Sequence, residues 1–357
     1  MENSDKTLED IPNLTILKIS SIIKNGDISG CTELILKNRN IEECEDLHEM
    51  KNLNKLDLSE NKIKDLTMVE FNLNLRHIIL QHNLIDTINC LNNIHNLIYL
   101  NLSYNKIKII DNICQLKNLK TLIIAYNEIE KVPNLSNLQN LEVLILKNNN
   151  ITTFIKPTKP MTQLKKISLS YNKLRQFPFG SHFINIHELR LNSNKLNSIE
   201  KDIIYMTSLK MIFIQNNFIM NYHFFEYLFE LKQLKSIVMS NNPFCKTMDV
   251  QVLNNLIQKS RNITSINFTN VPTHKKFDIY PFDSSINDHP SNREWNKKND
   301  NNHMTEQMVI TKKKKKKKNV PNMDVDNSFI SKKRRKCASE KGSKDMMTKK
   351  KKKKKED

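Results

Sequence analysis

Nine asparagines stand at near-regular intervals along the chain: Asn61, Asn83, Asn105, Asn127, Asn149, Asn172, Asn194, Asn217 and Asn242. They are mostly 22 residues apart, and the last intervals lengthen to 23 and 25. An amide side chain both donates and accepts hydrogen bonds, so its natural work is bridging. The stretch LNLSYNKIKII (100–110) sets Asn105 among Leu100, Leu102, Ile107 and Ile110. A buried amide is costly unless its donors and acceptors are met. Asparagine recurring in an apolar frame therefore predicts a repeated turn whose backbone groups it satisfies.

Residues for other chemistry are sparse or scattered. The four glycines are Gly26, Gly30, Gly180 and Gly342, which build no phosphate-cradling loop. No H-E-x-x-H occurs, and the ten histidines are dispersed. Isolated serines, histidines and aspartates are plentiful, but an open, regularly repeated surface does not make a closed, dry pocket. The six cysteines form no C-x-x-C pair. Cys90 and Cys114 fall where a small buried hydrophobe would fit, so a reduced intracellular protein with free buried thiols is expected. The expectation is a protein that is not an enzyme and needs no metal or cofactor.

The elements that position the asparagines follow from the frame L-x-x-L-x-L-x-x-N-x-L/I. It starts at Leu53, Leu75, Leu97, Leu119, Leu141, Leu164, Ile186, Leu209 and Leu234, and a weaker copy starts at Cys31 with Arg39 in the asparagine place. That makes ten copies. Alternation at Leu100 and Leu102 predicts a strand with one face buried. Ile107, Ile110, Ile113 and Leu116, three apart, predict a turn-rich or 3₁₀-like return. Neither half buries its apolar face alone, so neighbouring copies must stack.

The frame resembles the leucine-rich repeat family from about Cys31 to Val271. The resemblance implies an α/β fold, a right-handed solenoid with a curved parallel sheet on its concave face and helical caps; the charge of the chain beyond it predicts a disordered basic C-terminal tail. The 22-residue copies with isoleucines in the return are similar to the intracellular subclass that includes a regulatory subunit of protein phosphatase 1. The implied function is a non-enzymatic protein-binding scaffold or adaptor, with phosphatase regulation as one reading. An RNA-associated nuclear scaffold of splicing-particle type and a cytoskeletal or ciliary assembly factor are the alternatives.

Three regions are expected. Residues 1–30 form an N-terminal segment and helical cap, with Leu14, Leu17, Ile22 and Ile23 covering the first repeat and Gly26 stopping the helix. Residues 31–271 form the solenoid, ending in a cap over 243–271. There Asp249 would N-cap a helix bearing Val250, Leu253, Leu256 and Ile257, and Ile263, Ile266 and Phe268 resume the strand spacing. Residues 272–357 form a disordered lysine-rich tail. The tail holds 26 Lys+Arg against 12 Asp+Glu, or 14 of the 19 net positive charges. It contains lysine runs at 312–318 and 349–355 and the stretch SKKRRK. Lys332, Lys333, Arg334, Arg335 and Lys336 read as a nuclear-import signal, or as an electrostatic contact for nucleic acid. An AT-rich genome would also inflate lysine without selection. No run approaches 18 apolar residues, so no membrane span is expected.

In this frame, places three, five, seven and eight of each copy face the concavity. Ile79, Tyr99, Tyr104, Ile123, Tyr126, Val143 and Ile145 would then lie side by side as a protein-binding patch. Lys55, Asp57 and Glu60 flank it early, and Lys166, Glu188 and Arg190 late. The competing reading is that β-branched and aromatic residues simply favour strands. Met211, Phe213 and Val238 form a second group, expected to be covered by the C-terminal region.

Overall fold

The computed structural model describes residues 9–259, 262–267 and 269–270. Each copy contributes one three-residue strand, such as Lys55–Asp57, His77–Ile79, Tyr99–Asn101, Thr121–Ile123 and Val143–Ile145. Successive strands pair in parallel and in register, so Leu100 faces Leu122 and Leu122 faces Leu144. Eleven parallel strands run from Glu33–Ile35 to Ser265–Ile266, and the antiparallel strand Thr269–Asn270 joins the last. The frame's leucines turn inward at alternate places, and the strands are short because the chain turns at the eighth place of every copy. Leu100 and Leu102 are fully buried, with Asn101 between them.

After each strand the chain turns through a left-handed residue at the eighth place of the frame. From Asn38 to Asn241, all ten such residues have φ of 50–60°. None is glycine, and most are Asn or Tyr; Glu60, His82 and Ser193 complete the set. The turn leads into the return segment, which carries 3₁₀ helices such as Asn89–Asn93, Asp111–Gln115 and Lys201–Tyr205. The three-residue spacing of Ile107, Ile110, Ile113 and Leu116 matches that pitch, and all four are buried. Where the copies lengthen, bulkier residues fill the added volume. Phe154, Phe177, Phe179 and Phe183 pack with ring centroids 5.1–6.1 Å apart. Further on, the return becomes the α-helix Phe224–Phe229.

The N-terminal cap is built differently from expectation. Its helix is only Ile16–Ile22, begun by the Thr15 hydroxyl accepting from the Lys18 N–H. Leu14 belongs instead to a short strand, Asn13–Leu14, paired with Glu43–Cys44. The lid is made by Ile11, Leu14 and Ile19, whereas Leu17 is 83% exposed and Ile22 is also exposed. At the other end, the helix Val250–Lys259 starts with the Asp249 carboxylate accepting from the Gln251 N–H at 2.7 Å. Leu253, Ile263 and Ile266 are buried there. The side chains of Val250, Leu256 and Ile257, Phe268, and the chain from Val271 on, including Lys332–Lys336, lie outside the described residues.

The five described cysteines, including Cys90 and Cys114, are half-buried rather than buried. Burial nonetheless pushes every one of these thiols up, Cys44 to about 12.

Candidate protein-binding face

The asparagines form a continuous hydrogen-bonded ladder inside the turns. The Asn105 amide donates to the carbonyls of Leu102 in its own copy and Leu80 in the copy before. Its Oδ1 accepts from the Ile85 N–H at 2.9 Å. The same pattern holds for Asn61, Asn83, Asn149, Asn172, Asn194, Asn217 and Asn242. Asn127 keeps the links to the preceding copy, accepting from Ile107 and donating to Leu102. Arg39, at the head of the series, offers its backbone N–H to Asn61. A second set of amides, outside the frame, crosses the opposite turn. Asn74, Asn96, Asn118 and Asn140 each donate to the carbonyl 23 residues earlier.

With turns and core fixed, the outward residues form columns across the sheet. Ile79, Ile123 and Ile145 share one column, but Asn101 stands between the first two and donates to Gln81. Tyr99 and Val143 share the next column, with Thr121 between them. All five apolar residues are half-buried. The floor is thus apolar with two polar interruptions.

The left-handed residues make the rim of this floor. The rings of His82 and Tyr104 stack at 4.0 Å and 11°, and those of Tyr104 and Tyr126 at 4.2 Å and 8°. The Lys147 ammonium then lies 5.4 Å from the Tyr126 ring centre and 5.9 Å from that of Tyr171. Tyr104 is 42% exposed and Tyr171 is 46% exposed. Sequence reasoning selected Tyr104 and Tyr126 but passed over His82, Lys147 and Tyr171. Two of these stand at the eighth place and Lys147 at the seventh, so the frame alone could have found them.

The flanks differ from a simple charged margin. Asp57 is buried, with its carboxylate held by the Lys37 ammonium at 3.0 Å and by the Ser59 hydroxyl. It supports the sheet and offers no free charge to a partner. Lys55 pairs with Glu33, while Glu60 is exposed. On the late side, Glu188 sits between Lys166 and Arg190. Burial acts to raise the Glu188 pKa, but the charges and hydrogen bonds of Arg190 and Lys166 outweigh it and hold the carboxyl below its ordinary value. The Arg190 guanidinium lies 4.6 Å from the Phe213 ring centre. Phe213 and Val238 are buried and Met211 is half-buried.

Among the described residues, no group of three or more His, Cys, Asp or Glu side chains could hold a metal ion. No described helix is long and apolar enough to cross a membrane.

The profile of a family described as Leucine Rich repeats (2 copies) matches residues 95–137 and 117–157. No curated protein sequence matches the chain. Solved structures share the fold at low identity. The mouse RP105/MD-1 complex superposes with a TM-score of 0.55 at 20% identity, over 67% of this chain and 46% of that one. The leucine-rich repeat domain of APL1B gives 0.54 at 16% identity, over 68% and 69%. The functional domain of InlJ from Listeria monocytogenes gives 0.51 at 18% identity, over 70% and 65%. The chain therefore spans about half of the RP105/MD-1 chain it matches and just under two thirds of the InlJ one.

Proposed function

We propose that the chain, which folds as a leucine-rich repeat solenoid, is a non-enzymatic scaffold or adaptor binding a protein partner on its concave face. The observation that carries this reading is the stacked aromatic row of exposed His82 and Tyr104 and half-buried Tyr126 beside the apolar floor of Ile79, Tyr99, Ile123, Val143 and Ile145. Large rigid rings with polar tips anchor interfaces at low entropic cost. A protein of the same fold stands in the mouse RP105/MD-1 complex. Regulation of a phosphatase is the finer reading; a nuclear RNA-associated scaffold and a cytoskeletal or ciliary assembly factor are its rivals. The basic tail would add nuclear import through Lys332–Lys336, or salt-dependent contact with nucleic acid.

The test is a pulldown of the full chain with identification of the captured proteins, repeated with Tyr104→Ala/Tyr126→Ala. The double variant should keep its thermal melt and lose the main partner, each change costing roughly 1–3 kcal/mol of binding. A phosphatase catalytic subunit, splicing proteins, or tubulin and dynein components would choose among the finer readings. Retention of the partner by the folded double variant would refute the site.

A further inference from the structure

We propose that the concave face takes an acidic segment of a partner protein that also carries apolar side chains, seated between two basic rims. The inference rests on the protein-binding reading above and specifies the partner's chemistry. The near rim is the second place of each copy. Backbone hydrogen bonds join these residues into one column through Arg76, Ile98, Lys120, Glu142, Lys165, His187, Lys210 and Lys235. Five cations stand there against the single carboxylate of Glu142, which is shared by Lys120 and Lys165. Among the described residues, Arg76, Lys210 and Lys235 form no ion pair, and all three are exposed. The effect is felt locally: His187 is held below its ordinary pKa by burial and then by Lys210 and Lys165.

The far rim lies just past the left-handed turn, at the tenth place. Lys62, Lys106, Lys173 and Lys195 stand there against Glu128, all exposed, with Lys62 also paired to Glu42 at 2.8 Å. From the near rim at the second place to the aromatic row at the eighth is a strip about 20 Å wide, six residues of extended chain, and the far rim follows the turn that ends it. Positive charge on both margins of an apolar floor attracts and orients a negative partner and disfavours a positive one.

The rings decide between a peptide and a nucleic acid. Single-stranded nucleic acid is bound on open aromatic faces, each taking one base. Here the two faces of Tyr104 are taken by His82 and Tyr126. With both faces covered, Tyr104 offers a partner its ring edge. Such an edge suits aliphatic and aromatic side chains and the polar groups of a peptide backbone.

The experiment compares the affinity of the full-length protein for two fluorescent probes, polyglutamate and a random Glu–Tyr 4:1 copolymer, at one salt concentration. The lysine runs outside the solenoid read charge alone, so the ratio of the two affinities isolates the concave face. The copolymer should bind at least about tenfold tighter. That advantage should vanish in Arg76→Ala/Lys210→Ala/Lys235→Ala, with the melt and the affinity for poly(U) unchanged. An advantage that survives these three substitutions overturns the acidic partner. So does a matching loss of poly(U) binding, which would mark the face as a nucleic-acid surface. Tyr104→Ala/Tyr126→Ala separates the two readings. If it abolishes the copolymer's advantage while the rim substitutions do not, the concave site stands and only the acidity of its partner falls.

Discussion

Replacing Asn127 with alanine should destabilise the solenoid by about 2 kcal/mol, and the figure comes from counting what is orphaned. Three backbone groups lose a partner: the Ile107 N–H and the carbonyls of Leu102 and Ala125. The two carbonyls remain satisfied, since Leu102 also accepts from Asn105 and Ala125 from the Tyr104 N–H. Only the Ile107 N–H is left bare, and it is buried. One unsatisfied buried donor costs roughly 1–3 kcal/mol. With a urea dependence of roughly 3 kcal/mol per molar, the unfolding midpoint should fall by about 0.7 M. Asn127→Asp should be worse, because it keeps the acceptor but turns a carboxylate oxygen on the Leu102 and Ala125 carbonyls. Glu128→Ala should barely move the midpoint, as Glu128 makes only an exposed pair with Lys108 at 3.7 Å. The assay is equilibrium urea unfolding followed by circular dichroism. Equal midpoints for Asn127→Ala and Glu128→Ala would refute the ladder argument.

The depressed pKa of Glu188 means that its ionised form stabilises the fold; that contribution is complete above the ordinary glutamate pKa and is lost as pH falls through the lower folded value. Stability measured from about pH 5 down to pH 3 should therefore decline less steeply in Glu188→Gln than in the parent, and the variant should be less stable at pH 7 because Lys166 and Arg190 lose their partner. The raised thiols of Cys31, Cys44, Cys90, Cys114 and Cys245 should react slowly with a disulfide reagent at neutral pH and rapidly once urea unfolds the chain. Removal of residues 272–357 should leave the urea midpoint nearly unchanged and abolish any steeply salt-dependent binding of RNA; salt-insensitive binding by the shortened chain would contradict this.

How much of this was legible depended on whether a residue's role repeated. Leu100, Leu102 and Ile113 announced strand and return because every copy restates the same spacing. The asparagine positions followed for the same reason. Non-repeating places were harder. In the N-terminal cap, seven helical residues are too few to establish a period, and the choice between Leu17 and Ile19 is set by the strand Asn13–Leu14 that precedes them. Asp57 reads as a surface charge from its place in the frame, yet Lys37 and Ser59 draw it into the sheet. The left-handed turn left only a faint sequence mark: glycine, its usual signal, is absent from all ten positions, and asparagine, the next most tolerant residue, fills four of them. Asn267 escaped as well. It stands five places into its segment rather than nine, and its side-chain Oδ1 accepts from the Met239 and Ser240 N–H groups, closing the last full copy.

The asparagine ladder has a direction. Each side chain accepts from the backbone of the copy before it, Asn127 from Ile107 and Asn149 from Ile129, and the buried N–H of a turn is always met from downstream. As the polypeptide leaves the ribosome, the newest turn therefore waits about twenty residues for the amide that completes it. Its predecessors are already sealed. The growing tip is the weakest part of the molecule at every moment of synthesis, and it moves forward one copy at a time. The finished protein inherits the asymmetry. Its first turn can begin under a lid of plain hydrocarbon, Ile11, Leu14 and Ile19, whereas its last full copy must borrow a polar side chain, Asn267, to close.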